Sequence, residues 1–152
     1  MTTDNATREP ELLPPGAGCR FHVPGPYVVK LAGEQTAGSL AVLESAFAPG
    51  EGAPLHRHQG HDETFYVVSG RFRLRCDDRT AEEGPGGFMH VPRTHPHSFT
   101  NIADEPSTIL VALTPAGFEK FFIEAAGLSA SGRPSREAME SILAKYDQEL
   151  VL

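Results

Sequence analysis

Short runs of alternating hydrophobic and polar residues, separated by turns, fill the middle of the chain. The clearest run is residues 71–76, RFRLRC, in which Phe72, Leu74 and Cys76 fall on one face and arginines on the other. This period of two predicts a strand with one face in a core and one in water. Six further segments have the features of strands: PYVVKL, GSLAVLESAF, ETFYVVSG, GFMHV, HSFTNI and STILVALT. Strands without long helices between them favour an all-β antiparallel sandwich or barrel over a βαβ fold.

The hydrophobic period becomes helical after the last of these strands. In the segment TPAGFEKFFIEAAG, Pro115 suits a first helical position and Gly127 suits a helix end. A second helix is predicted from Pro134 or Ser135 to about Leu150, with one apolar stripe and charged residues elsewhere. The aromatic residues of the first helix are interpreted as a packing surface: Phe118, Phe121 and Phe122. Both helices are expected to cover the barrel or to form a dimer contact.

Length, charge and composition narrow the class of protein. A chain of 152 residues is the size of one domain, and we expect a flexible arm over residues 1–18, a barrel over 19–114 and helices over 115–152. Thirteen Lys and Arg against 20 Asp and Glu give a net charge of −7, which argues against a nucleic-acid partner. The chain has no basic-then-apolar leader and no membrane-length apolar run, so we expect a soluble, cytoplasmic protein without a membrane partner. Its two cysteines are far apart and indicate neither a disulfide framework nor a thiolate metal site.

Six of the seven histidines fall between residues 56 and 97, and His22 is interpreted as an ordinary, partly exposed residue. His56 and His58 are two apart, so in a strand they point to the same side and can reach one ion. Glu63 follows and could supply an oxygen ligand or an adjacent base. A further ligand must come from elsewhere, and the segment HVPRTHPHSFTN offers three candidates: His90, His95 and His97.

The spacing around the first histidines resembles the first motif of the cupin superfamily. That motif is a Gly, five residues, HxH, four residues, Glu, six residues and a second Gly, and the stretch from Gly50 to Gly70 matches every fixed position. His56, His58 and Glu63 stand in the ligand places of the motif.

A second cupin motif is matched downstream by Gly86, Pro92, His97 and Asn101. It departs once, because Thr94 stands where the family has Gly, and this could change the shape of the turn. The resemblance covers about residues 38–126, and it also includes the tail segment of small cupins that are commonly called quercetin dioxygenase-like.

The resemblance implies a six- to eight-stranded jelly-roll barrel holding one divalent ion of iron, manganese, nickel, copper or zinc. The implied ligands are His56, His58, Glu63 and His97. His61 stands where such relatives usually carry an acidic residue; it could compete for the metal, but we expect it to lie in a turn and meet solvent or Asp62. His90 and His95 could line the cavity or merely fill it. Asn101 is expected to fix a turn or a strand end by hydrogen bonds.

Three functions agree with this site. A metal with about two free positions is typical of catalysis, and the favoured function is a quercetinase-like dioxygenase with Glu63 as the base. The first alternative is a redox-neutral polyketide cyclase or isomerase that uses the metal as a Lewis acid, which a fourth imidazole from His61 would favour. The second alternative is a barrel that binds a small molecule without turnover. The expected substrate is apolar and aromatic, the expected assembly is a homodimer, and the candidate cavity residues are Phe65, Phe72, Phe88 and Phe99.

Overall fold

The computed structural model describes residues 9–22, 26–130 and 132–151, with the backbone alone for residues 21, 22 and 26. Residues 1–8 of the predicted arm and the side chain of His22 therefore lie outside the described part. The strands are β1 Cys19–His22, β2 Pro26–Leu31, β3 Ala41–Phe47, β4 Gly52–His58, β5 Asp62–Val67, β6 Phe72–Cys76, β7 Arg79–Glu83, β8 Phe88–Val91, β9 His97–Asn101, β10 Ser107–Thr114 and β11 Gln148–Leu150. The helices are α1 Glu119–Ser129 and α2 Arg136–Lys145, and a 3-10 turn spans Gly33–Thr36.

Two antiparallel sheets form the body of the molecule. One contains six strands in the order β1-β2-β3-β10-β5-β8, and the other contains five in the order β11-β4-β9-β6-β7. Neighbours in both sheets are often distant in sequence, as β3 and β10 are, which is the connectivity of a jelly roll. The predicted all-β jelly-roll barrel with two C-terminal helices is confirmed.

A hydrophobic core fills the space between the two sheets. Phe47 packs edge-on against Phe99, with 5.1 Å between ring centroids, and against Phe72 at 6.3 Å. The alternation predicted for β6 is confirmed, because Phe72 and Leu74 are buried while the arginines between and beside them are exposed. Burying each such side chain contributes about 1.5–3 kcal/mol, which holds the sheets together around the polar site described below.

The first helix begins four residues later than its sequence predicts. Gly117 has φ 139°, a backbone conformation that interrupts a helix, so Pro115 lies outside the helix and α1 begins at Glu119. The Glu119 carboxylate is 1% exposed and accepts the backbone N–H groups of Gly33 at 2.9 Å and Gly117 at 2.6 Å. Gly127, the predicted end, lies inside the helix.

The second helix ends earlier than predicted, and the chain then returns to the barrel. Helix α2 stops at Lys145, and Asp147 takes the left-handed conformation at φ 61°. The Asp147 carboxylate accepts the N–H of Gln59 at 2.7 Å, and Arg57 forms two hydrogen bonds to Glu149. Residues 148–150 therefore form strand β11 beside β4, and the prediction that the helix runs to about Leu150 is wrong.

The motif positions shape the turns. Gly70 has φ 75°, and a Cβ atom there would lie 1.8 Å from Ser107 Oγ, so only glycine fits. Thr94 also has φ 75°, so it takes the conformation that glycine would, and its N–H donates to the carbonyl of His58 at 2.6 Å. The turn thus keeps its glycine-like form despite the substitution.

Asn101 ties strand β9 to its neighbours, as its motif position predicts. Its amide nitrogen donates to the carbonyls of Phe47 and Glu105, and its oxygen accepts from the N–H of Ala103 and the hydroxyl of Ser107. The role predicted for Asn101 is confirmed. In the described ranges, no helix is long and apolar enough to cross a membrane.

Candidate metal centre

Three strands bring four potential ligands to one point inside the barrel. His56 and His58 lie two apart on β4, Glu63 lies on β5, and His97 lies on β9. His56 and His97 are directly opposite each other across the β4–β9 pair. Directly paired residues of an antiparallel ladder share a face, so their rings approach to 4.3 Å between centroids.

The ligand atoms of His56, His58, Glu63 and His97 all lie within 4.8 Å of one another. All four side chains are buried, and none is more than 5% exposed. A bound ion sits about 2.0–2.1 Å from an imidazole nitrogen, so atoms around one ion are about 3–4 Å apart. The cluster is therefore close to the size of a mononuclear metal site, and the assignment of these four residues as ligands stays a prediction.

Backbone carbonyls orient two of the imidazoles. Nδ1 of His56 lies 2.7 Å from the carbonyl of Pro54, and Nδ1 of His97 lies 3.1 Å from the carbonyl of His95. A carbonyl only accepts, so each Nδ1 donates and each Nε2 faces the cluster. Metal-binding histidines have this arrangement in general, because the second hydrogen bond fixes the ring and its tautomer.

Burial and neighbouring imidazoles set the charges of the cluster. Burial lowers the pKa of His56, and it lowers the pKa of His58 to about 3, so His58 is neutral near pH 7. Burial alone would raise the pKa of Glu63, but the imidazoles of His61, His97 and His58 outweigh it and hold that pKa well below its usual range. His56 and His58 are therefore held neutral and Glu63 charged, which are the protonation states that metal ligands need.

His58 provides an independent test of whether a metal fits. Both of its ring nitrogens are buried and lack a hydrogen-bond partner among the described residues. A buried polar atom without a partner costs about 1–3 kcal/mol, so such atoms point to an unaccounted ligand. Glu63 Oε1 lies 3.6 Å from His58 Nε2, a separation too long for a hydrogen bond but suitable for two ligands of one ion.

His61 is buried beside this cluster. It is 6% exposed, its ring stacks on Phe118 at 5.0 Å, and it lies 4.2 Å from the ring of His58. The expectation that His61 meets solvent or Asp62 from a turn is therefore wrong, because Phe118 at the start of α1 covers it. Its Nε2 is 3.5 Å from Glu63 Oε1, beside the four-residue group rather than within it.

The other two histidines of the second motif region lie apart from the cluster. His90 and His95 are both exposed, with His90 Nδ1 2.9 Å from the hydroxyl of Thr64 and His95 Nδ1 2.7 Å from the carboxylate of Asp77. Neither lines the cavity next to the four residues, so neither serves there as a proton-transfer group. His95 does belong to a second group of metal-binding types, with Cys76 and Asp77, whose ligand atoms also lie within 4.8 Å of one another.

A cavity of about 290 Å³ adjoins the cluster. His56 and Glu63 form part of its wall, and most of the remaining wall is apolar. The wall includes residues from both sheets and from the C-terminal elements: Tyr27, Phe65, Phe99, Phe118, Phe121, Phe122, Met139, Leu143 and Gln148. The predicted cavity positions of Phe65 and Phe99 are confirmed, whereas Phe72 is in the core and Phe88 is 62% exposed on the outer surface.

The sequence pattern did not predict several residues of the cavity wall. The aromatic side chains of α1 do pack on the barrel as predicted, but they also close the cavity, and α2 and β11 complete its wall. The aromatic spacing of Phe118, Phe121 and Phe122 was the available signal. Nothing in the sequence pattern indicated Tyr27 or Gln148.

Comparison with known proteins relates this fold to a family. Residues 43–113 match the family model described as the cupin domain. The chain is 30% identical over 115 residues to quercetin 2,3-dioxygenase of Bacillus subtilis (strain 168), which covers 74% of this chain and 34% of that enzyme. The chain thus spans about a third of the length of this relative.

Solved structures agree on the fold. The polyketide cyclase RemF from Streptomyces resistomycificus superimposes with a TM-score of 0.61 and 22% identity, covering 70% of this chain and 80% of the cyclase. KdgF from Halomonas sp. gives a TM-score of 0.60 and 18% identity, covering 67% of this chain and 90% of KdgF. Residues 43–113 therefore carry a cupin domain, and the solved structures share its jelly-roll barrel.

Proposed function

We propose that this cupin binds one divalent metal ion through His56, His58, Glu63 and His97, and that it is an oxygenase acting on phenolic or enolic aromatic molecules. One observation carries the proposal. Three imidazoles and one carboxylate form a buried cluster, and two of its members, His56 and Glu63, line a mostly apolar cavity of about 290 Å³. This volume lies just below the usual range of small-molecule sites, about 300–1,000 Å³.

The donor set fits the ion. Three nitrogens and one oxygen suit iron, manganese, nickel, copper or zinc better than magnesium or calcium, which prefer oxygen ligands. When bound, a redox-active ion would supply oxygen chemistry and a Lewis-acid centre for a substrate oxygen.

Glu63 is the group in this cavity that can take a proton from a substrate. Its Oε2 is engaged by His97 at 2.7 Å, while Oε1 has only longer contacts, 3.6 Å to His58 and 3.5 Å to His61. The neighbouring imidazoles hold the Glu63 pKa low, which makes it a weak base. Acidic hydroxyl groups, as in phenols and enols, are therefore better proton donors to it than aliphatic alcohols.

The cavity wall favours a flat apolar substrate. Phe65 and Phe99 come from the barrel, and Phe118 from α1 covers the same space. Aromatic rings packed against such side chains gain about 0.5–1.5 kcal/mol per pair beyond area burial. The Glu63 carboxylate that faces this space is only 5% exposed.

The relative that is named a quercetin 2,3-dioxygenase supports this direction. The chain spans about a third of that enzyme, so we propose a related activity and substrate class for this chain.

Metal analysis of protein purified without an affinity tag tests the first half of the proposal. We expect one ion per subunit in the wild type and in His90→Ala, a matched loss of an exposed imidazole, and no ion in His56→Ala. An oxygen electrode with flavonol and polyphenol substrates tests the second half. Metal-loaded protein that consumes no oxygen with this panel would contradict the oxygenase assignment.

A second function is favoured by the position of His61. This imidazole is buried 3.5 Å from Glu63 Oε1, where it could share a proton with the carboxylate. Such a pair suits proton transfer in a redox-neutral cyclisation or isomerisation. Turnover of a polyketide or keto substrate under nitrogen, with zinc bound, would support this alternative.

A further inference from the structure

Four of the described residues that line the cavity have polar side chains. His56 and Glu63 belong to the candidate metal cluster, which leaves Tyr27 and Gln148. The described lining contains no Lys or Arg side chain. Away from the candidate metal cluster, a carboxylate or phosphate would find no cationic side chain on the described wall, so the polar groups that a substrate presents to that part of the wall are hydroxyls or carbonyls.

Tyr27 is placed rigidly in the wall. It lies on β2 opposite Ser45 of β3, and its ring packs against Phe122 at 4.1 Å and edge-on against Phe47 at 5.8 Å. Burial, and then the negative charge of Glu63, raise the Tyr27 pKa well above its usual range, so the phenol keeps its proton. No described residue forms a hydrogen bond with its hydroxyl, which leaves this donor available to a molecule in the cavity.

Gln148 reaches the same cavity from the C-terminal strand. It pairs directly with His58 in the β11–β4 ladder, and directly paired residues share a face. Its neighbour Glu149 points the other way and binds Arg57 outside the barrel. The register therefore directs the Gln148 amide inward, and an amide can both donate and accept.

We propose that Tyr27 and Gln148 are two polar contact points that orient the substrate, and that the substrate is an uncharged aromatic molecule with several oxygen groups. One oxygen group lies at Glu63, and further oxygen groups are bound by Tyr27 or Gln148 on the same wall. This inference rests on the proposed function for the identity of the first oxygen group. Both are positioning residues, since neither belongs to the metal cluster.

Binding of two flavonols tests the inference without turnover. 3-Hydroxyflavone carries its hydroxyl beside the carbonyl, whereas quercetin carries further hydroxyls on the distant rings. Titration of metal-loaded protein under nitrogen should show that quercetin binds more tightly to the wild type. Tyr27→Phe and Gln148→Met should each weaken quercetin binding about 2- to 12-fold, the usual effect of one lost hydrogen bond, and change 3-hydroxyflavone binding little.

Tyr66→Phe is the matched control, because Tyr66 lies on β5 with its side chain 46% exposed on the outside. It should leave both affinities and the metal content unchanged. A merely structural role of Tyr27 would weaken both flavonols equally, and that result would overturn the inference, as would a wild type that binds neither flavonol. If the selectivity for quercetin depends on Tyr27 but no oxygen is consumed in air, the oxygenase proposal fails and the contact points stand.

Discussion

Nε2 of His97 and Oε2 of Glu63 lie 2.7 Å apart in the interior of the barrel, although they belong to different sheets. The Nδ1 atom of His97 is already engaged by the carbonyl of His95, so a neutral His97 would turn a lone pair towards a carboxylate. Two acceptors at this distance repel unless a proton or another cation lies between or beside them. The pair therefore makes this point of the barrel attractive to positive charge, in agreement with the proposed metal site.

Removal of two imidazoles should abolish metal binding. In His56→Ala/His97→Ala, the cluster loses the two side chains that face each other across β4 and β9. We expect the loss of metal affinity to exceed the roughly 10- to 100-fold cost of removing an outer-sphere partner. Elemental analysis after dialysis measures it.

His90→Ala is the control, since it removes an exposed imidazole that belongs to neither group of metal-binding residues, and it should keep the full metal content. If the His56/His97 double variant is folded by circular dichroism and still holds one ion per subunit, the site assignment is wrong.

The metal-free protein should lose stability as the pH falls from 7 to 5. His58 has a pKa of about 3 in the folded protein and an ordinary value of 6.5. Between these values the unfolded chain binds a proton that the folded protein does not, so the stability that is fully present above pH 6.5 is progressively lost towards pH 3. The free energy of unfolding, measured with urea, should fall on the order of 1–2 kcal/mol between pH 7 and pH 5 from this group.

The variant His58→Gln isolates this effect, because it cannot titrate, and its stability should depend less on pH over the same window. Glu63 does not confuse the comparison, since its lowered pKa places its own effect at more acidic pH. Equal slopes in the wild type and His58→Gln would show that burial does not keep His58 neutral.

The fold was predictable where apolar alternation is strong. Strand β6 exposes its arginines and buries Phe72 and Leu74, so its pattern is complete in the sequence. Strand β7, Arg79–Glu83, is exposed at every position and has no apolar face to detect. Strand β4 buries His56 and His58 in place of hydrophobic residues, so its chemistry rather than its hydrophobicity indicated an extended segment.

The four-residue cluster was predictable from the sequence, and its surroundings were less so. Motif spacing predicted that His56 and His97 lie together, as they do, because local strand geometry and two fixed turns determine their positions. The burial of His61 depends on Phe118, which reaches it only after the chain has completed the barrel. The inward position of Gln148 depends on the pairing register of β11, which follows a helix end that Asp147 sets by its tertiary contact with Gln59.

Thr94→Gly should stabilise the protein. Thr94 has φ 75°, which is costly for a β-branched residue, typically about 1–3 kcal/mol, and glycine takes it without strain. Glycine also increases the conformational entropy of the unfolded chain, which lowers the stability by about 0.4–1 kcal/mol and offsets part of the benefit. We expect a net increase of about 0.5–1 kcal/mol in the free energy of unfolding, measured in denaturant.

Thr100→Gly is the control, because Thr100 lies inside strand β9, where glycine should destabilise. Metal content should not change in Thr94→Gly, since the bond from its N–H to the carbonyl of His58 is a backbone contact. A less stable Thr94→Gly would mean that the threonine side chain makes a stabilising contact that outweighs the backbone strain.

Asn101→Ala should be strongly destabilising without loss of metal. Asn101 is 1% exposed, and its removal leaves the carbonyls of Phe47 and Glu105 without this donor. Such losses cost about 2–4 kcal/mol in total. Ser107→Ala, which removes one of the bonds to Asn101, should cost less. Urea unfolding ranks the two variants, and the opposite order would contradict the role of Asn101 as the centre of this network.

His61→Ala decides between the two proposed chemistries. The atoms of the four-residue cluster lie within 4.8 Å of one another without His61, so we expect the variant to keep nearly all of its metal. It should also still consume oxygen with a flavonol, because Glu63 keeps its contact with His97. Elemental analysis and the oxygen electrode are the two measurements.

The outcome separates a ligand from a proton-transfer group. His61→Gln serves as the matched variant, because it retains polarity and part of the volume between the rings of His58 and Phe118. If both variants lose metal while remaining folded, His61 is a ligand, Glu63 is free to act as a base, and the cyclase or isomerase chemistry is favoured. If both keep their metal and wild-type protein still takes up no oxygen, His61 acts on Glu63 in a redox-neutral reaction. Retained metal together with oxygen uptake supports the oxygenase, in which His61 is dispensable.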